Sequence, residues 1–200
     1  MAKENNFTKE LPQDYKEIYS IDAKNAKIGI IMNVVAFVIF LLIFIPLFIL
    51  CDLSSFYGER FYKNVMSCLI FAFLGLIICF ILHELVHGFV YKITTGQKLT
   101  FGLSWSCAFC GVPNVYVKRK TAIFALLAPF VFFSIIFIIA LILFYPNPAV
   151  FLSIAFVFAL HTGGCAGDLY VFLLFLFKLK DKRILMNDTG PKQTFYIPNK

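Results

Sequence analysis

Ile81-Leu82-His83-Glu84-Leu85-Val86-His87-Gly88 lies inside a long apolar run and carries the spacing His-Glu-x-x-His. In a helix, residues four apart share a face, so two imidazoles at this spacing can grip one metal ion. Glu84 falls on nearly the same face, in place to take a proton from a metal-bound water. A carboxylate and two imidazoles at membrane depth are costly, and they ask for a functional explanation.

The composition around this stretch sets the class. The chain has 200 residues, of which 60% are hydrophobic, 18% aromatic and 14% charged. Soluble domains carry about 25% charged residues. The expectation is a one-domain polytopic membrane protein. The net charge of +7 sits in short segments beside apolar runs. That pattern suits membrane orientation and contact with anionic lipid, and it argues against nucleic acid as a partner. Of the six cysteines, Cys68, Cys79 and Cys165 fall within apolar runs, which excludes a secreted disulfide framework. The first apolar run starts only near Ile28, too late and too long for a cleavable signal.

Four runs are long enough to cross about 30 Å of hydrocarbon as helices. They span about 28–50, 67–91, 121–145 and 149–177, within a membrane domain of residues 28–177. A leader of residues 1–27 precedes them and a tail of residues 178–200 follows. The expected fold is an all-α membrane protein with four transmembrane helices. A small cytoplasmic β-hairpin is expected between helices two and three. Its basis is the alternation in Leu99-Thr-Phe-Gly-Leu-Ser-Trp105 and the extended look of Val115-Tyr-Val-Lys118. Gly111, Pro113 and Asn114 supply the turn between them. In the leader, residues 15–21 read as a short helix or strand at the interface, or as partly ordered chain. In the tail, residues 194–197 read as an edge strand. Pro46 and Pro129 lie inside spans and are expected to bend them or mark contacts.

Sixteen basic residues lie in the leader, the second loop and the tail, against only Arg60 and Lys63 in the other two loops. The positive-inside rule then predicts a multi-pass protein of the cell membrane with both termini cytoplasmic.

The chemistry is concentrated in the spans. All three histidines, His83, His87 and His161, lie within them, as do Glu84 and Asp168, the only acids between Arg60 and Lys180. Satisfying one another around a cation would remove most of the cost of burying them. Depth supplies a check. His83 stands nine residues before Lys92, and Asp168 ten before Lys178, the basic residues where spans two and four exit on the same side. At about 1.5 Å per residue both lie roughly 13–15 Å inside. His161 is about 10 Å deeper if the helix is regular. The glycines of His161-Thr-Gly-Gly-Cys-Ala-Gly-Asp168 invite a break, which could bring His161 or Cys165 closer in an outer-shell or cavity role. The expected site is a catalytic zinc held by His83, His87 and Asp168, with a fourth position left for water. Glu84 is the expected base and proton shuttle, hydrolysing an amide without a covalent intermediate. Without a metal, the same groups would be a polar cluster pinning helices together. Cys107-Ala-Phe-Cys110 has metal or redox spacing but no second pair nearby. A reduced apolar turn is the plainer reading.

These residues resemble a known group. His83-Glu-Leu-Val-His87-Gly88 in one span, Leu126-Leu-Ala-Pro129 in the next and Gly167-Asp168 in the last resemble the site-2-protease type of intramembrane zinc metalloprotease. A bacterial family of zincin membrane peptidases is more similar, with the Leu11-Pro12 leader, the Phe101-Gly102 strand and a β-like tail in common. The resemblance implies zinc ligands at His83, His87 and Asp168 and a catalytic Glu84. Site-2 proteases usually place Asn and Pro ahead of an Asp-Gly pair. Here the order is Gly167-Asp168, and no PDZ module is present.

The expected function is intramembrane zinc-dependent hydrolysis of peptide bonds through a zinc-activated water. Its partners would be the lipid bilayer and a membrane-anchored peptide or protein substrate. The rival is a non-catalytic zinc-binding membrane protein, a pseudoprotease scaffold or regulator, against which an intact Glu84 argues. A metal transporter would need polar residues through the full bilayer depth.

Overall fold

Long apolar runs form helices, and the polar ends of the chain form strands. The computed structural model describes residues 6–103 and 108–199. Strands β1 (Phe7–Thr8) and β2 (Tyr15–Asp22) lead into α1 (Ala26–Leu50). Asn25 caps that helix, its side-chain oxygen accepting the Lys27 N–H at 3.0 Å. Two short 3-10 turns, Leu53–Phe56 and Gly58–Arg60, precede α2 (Phe61–Thr95). Next come β3 (Thr100–Leu103), β4 (Ala108–Gly111), β5 (Tyr116–Lys118) and α3 (Arg119–Phe144). Helices α4 (Pro148–Gly164) and α5 (Ala166–Phe177) are followed by β6 (Leu185–Asp188) and β7 (Lys192–Pro198).

Among the described residues three helices are long and apolar enough to cross a membrane, and a fourth crossing is counted if α4 and α5 are one broken span. Their side chains fit such a setting: Leu42, Ile49 and Ile142 are 70%, 73% and 70% exposed. Large apolar groups are seldom so exposed to water in such numbers. The fourth apolar segment is not one helix. It breaks at Cys165, whose N–H donates to the His161 carbonyl at 3.0 Å. Gly163, Gly164 and Gly167 around the break are poor helix formers.

The expectation of an all-α protein is corrected by a five-stranded antiparallel sheet in the order β1-β5-β6-β7-β2. The leader segment left open between helix and strand is the edge strand β2. The tail strand β7 is not an edge but lies between β6 and β2. The expected pairing of the segment near Phe101 with Val115–Lys118 is replaced by β3 pairing antiparallel with β4; Ser104 to Cys107 lie outside the described residues. Tyr116–Lys118 is not part of that hairpin; it pairs with β1 and β6.

The chain divides into two compact units. The first comprises Met1–Met32, His83–Pro129 and Gly167–Lys200. One register row, Phe7, Val117, Met186, Phe195 and Tyr19, crosses all five strands and faces its core. Strands alternate sides with period two, so this row puts one apolar face against the helices. Phe175 of α5 packs edge-on against Phe195, centroids 5.4 Å apart. Arg119 closes the C-terminal end of α5, donating to the Phe175 carbonyl at 2.6 Å and the Leu179 carbonyl at 3.0 Å. A cation at that end also complements the helix dipole. The sheet therefore holds α5, and α5 carries Asp168 in its first turn.

The second unit comprises Asn33–Leu82 and Phe130–Ala166. Its packing is aromatic and small-residue: Phe156 meets Phe40 and Phe44 edge-on, and Gly75 lies against Val157. A Cβ at Gly163 would come within 2.5 Å of the Ala36 carbonyl oxygen, so only glycine fits that approach.

Candidate metal centre

The centre lies within the first unit, at the start of the α2 segment that belongs to it. His83 and His87 are one helical turn apart, and their rings meet edge-on with centroids 4.8 Å apart. Their Nε2 atoms are 3.1 Å apart. Asp168 Oδ2 lies 3.4 Å from His83 Nε2 and 3.3 Å from His87 Nε2. Glu84 is half-buried beside them, within electrostatic range of both histidines and of Asp168. The structure thus brings together His83, His87 and Asp168, with Glu84 adjacent.

The tautomer of His87 follows from its other nitrogen. Nδ1 lies 2.9 Å from the Ala125 carbonyl oxygen, which can only accept, so Nδ1 carries the hydrogen. A neutral His87 therefore turns a bare Nε2 lone pair toward His83 Nε2 and the Asp168 carboxylate. Such a cluster of electron-rich atoms needs a cation in its midst. A proton or a metal ion can fill that role.

His161 and Cys165 belong to the second unit. The His161 ring packs on Phe133 and Phe137, with centroids at 4.8 and 5.9 Å, and its Nε2 is 3.8 Å from Cys165 Sγ. Cys107 lies outside the described residues. Cys110 is buried in β4, and burial pushes its thiol up to about 12, with help from the charges of Glu84 and Asp188. A thiol so protonated is a poor metal ligand or nucleophile.

Two polar residues near the site escaped the sequence reading. Tyr91, one turn beyond His87 and fully buried, donates its hydroxyl hydrogen to Asp188 Oδ2 at 2.6 Å. Gly190 N–H donates to Asp188 Oδ1 at 2.9 Å, and Val112 N–H to the Asp188 carbonyl at 2.8 Å. Burial pushes the Asp188 carboxyl up to about 6, against the Tyr91 and Gly190 hydrogen bonds that favour its charge. Gly190 has φ +99, and the absence of a Cβ leaves room for the Phe109 ring. A Cβ at Gly88 would lie 2.7 Å from Phe101 Cζ, so the β3–β4 hairpin rests directly on α2 beside His87. The tail turn, the hairpin and the motif helix are thereby locked to one another. Tyr91 is detectable in the sequence by its helical spacing from His87. Asp188 reads there as an ordinary turn acid.

A family model described as "putative zincin peptidase" matches residues 76–182, a segment that contains His83, Glu84, His87 and Asp168. The chain belongs to that family. No curated protein and no solved structure matches the chain. Membership among zincin peptidases points to metallopeptidase chemistry and implies zinc. The donor set fits that ion. Tetrahedral zinc with bonds of about 2.0–2.1 Å holds its ligands about 3.3–3.4 Å apart. The three separations here are 3.1, 3.4 and 3.3 Å. Two imidazoles and one carboxylate are also the donors of a catalytic rather than a closed structural site, which would use four protein ligands.

Proposed function

We propose that this zincin peptidase is an intramembrane zinc metalloprotease that hydrolyses peptide bonds of membrane-associated substrates. The observation that carries the reading is the near-equilateral triangle of His83 Nε2, His87 Nε2 and Asp168 Oδ2 with Glu84 beside it. In this reading those three residues hold zinc. Zinc supplies Lewis-acid activation of water and of the scissile carbonyl.

Glu84 takes a proton from the attacking water as its oxygen bonds to the carbonyl carbon. Glu84 then delivers the proton to the leaving nitrogen as the C–N bond breaks. The Ala125 carbonyl holds His87 in the tautomer that offers Nε2. The motif lies three turns before the end of α2 at Thr95, which supports chemistry below the membrane surface. The distribution of basic residues supports cytoplasmic termini, with the sheet on that side. Together these features support a site-2-protease-like way of working on a membrane-anchored peptide or protein.

Metal removal tests the reading. Full-length protein in detergent should cleave a membrane-anchored reporter peptide, lose that activity in a zinc chelator and regain it with added zinc. Cleavage that continues undiminished in metal-free protein would overturn it.

A further inference from the structure

Pro129 lies inside α3 and is fully buried. In a regular helix the N–H of residue 129 would bond the carbonyl of residue 125. Proline has no N–H, and its ring crowds the carbonyl four residues back. The carbonyl thus released is that of Ala125, the same oxygen that lies 2.9 Å from His87 Nδ1. Without that acceptor, His87 would have no fixed reason to keep its hydrogen on Nδ1 and its lone pair on Nε2.

We propose that Pro129 is a positioning residue of the metal centre: by withholding an N–H from the Ala125 carbonyl it reserves that oxygen for His87 Nδ1, and so sets the tautomer and orientation of a zinc ligand. The inference rests on the reading of His87 as a ligand, but its first consequence, the tautomer, does not need the metal. A second proline, Pro46 in α1, has the same helix-interior setting, and the carbonyl it releases is that of Leu42. It serves as a control for general effects of removing a proline from a helix.

Pro129→Ala restores an N–H that competes for the Ala125 oxygen. A proline is a poor helix former, so the metal-free Pro129→Ala protein should unfold at an unchanged or higher temperature. Its zinc affinity should nevertheless fall about tenfold or more, the usual result of removing an outer-shell partner. Chelator-dye competition on full-length protein reads the affinity, and thermal unfolding of the metal-free form reads the stability. Pro46→Ala should leave the affinity as in wild type. Wild-type affinity in Pro129→Ala would overturn the proposal. So would a loss of affinity matched by an equal loss of metal-free stability, since that marks a packing role.

Nitrogen-15 spectra of the histidines in metal-free protein supply the arm that is independent of zinc. Wild type should show His87 Nδ1 protonated and hydrogen-bonded, and Pro129→Ala should weaken or lose that bond. A wild-type His87 protonated on Nε2 alone would sink the proposal whatever the variant does. Wild-type protein that binds no zinc yet shows the expected Nδ1 hydrogen bond would keep the coupling of Pro129 to His87 but reject both the zinc reading and the ligand-positioning role.

Discussion

Glu84→Gln protein is expected to lose peptide hydrolysis by about a thousandfold or more while keeping its zinc. General acid–base catalysis contributes about 10²–10⁴ in rate, and Glu84 is asked both to accept and to return the proton. Glutamine preserves the shape of the side chain but cannot accept that proton. None of the three proposed ligand atoms is altered, and the triangle they form is set by α2 and α5. Initial cleavage rates on a membrane-anchored reporter, with zinc content measured on the same preparation, separate the two properties. A variant within tenfold of the wild-type rate would remove Glu84 from the chemistry. Loss of zinc together with activity would instead make it part of the binding site.

Asp168→Ala should strip the metal. Asp168 provides two of the three edges of the triangle and its only carboxylate, so the variant leaves two imidazoles one turn apart. The expected loss of affinity is at least about a hundredfold, the upper end of what outer-shell partners cost. Zinc per chain should fall from about one to a small fraction after dialysis against a weak chelator, and hydrolysis should fall with it. The sheet supports α5 through Phe175 and Arg119, far along the helix from Asp168, so the variant should remain folded. Zinc content equal to wild type would mean that another residue supplies the third donor.

The convergence of His83, His87 and Asp168 was more legible in the sequence than the sheet, for physical reasons. The pairing of His83 with His87 follows from helical periodicity. The meeting with Asp168 could be anticipated because a helix rises by a fixed amount per residue, so His83 and Asp168 stand at matching distances from Lys92 and Lys178. The sheet has no comparable ruler. Its strands come from opposite ends of the chain, Tyr15–Asp22 against Lys192–Pro198 and Phe7–Thr8 against Tyr116–Lys118. Strand β6 is only four residues long and lacks a clear alternation. Short segments of this kind are ambiguous until their partners are known. The Tyr91–Asp188 contact spans 97 residues and depends on that sheet. The role proposed for Pro129 was only partly legible: the sequence marks it as a bend or contact inside an apolar run. Its position inside a span marks a freed carbonyl, but the taker of that carbonyl emerges only when α2 and α3 are seen together.

In the proposed centre His83, His87 and Asp168 hold zinc. X-ray absorption at the zinc edge of the full-length, zinc-loaded protein tests it most directly. Only nitrogen and oxygen neighbours at about 2.0–2.2 Å are expected, with the multiple scattering of two imidazoles. A sulfur neighbour at about 2.3 Å, or a shell containing no imidazole, would contradict it.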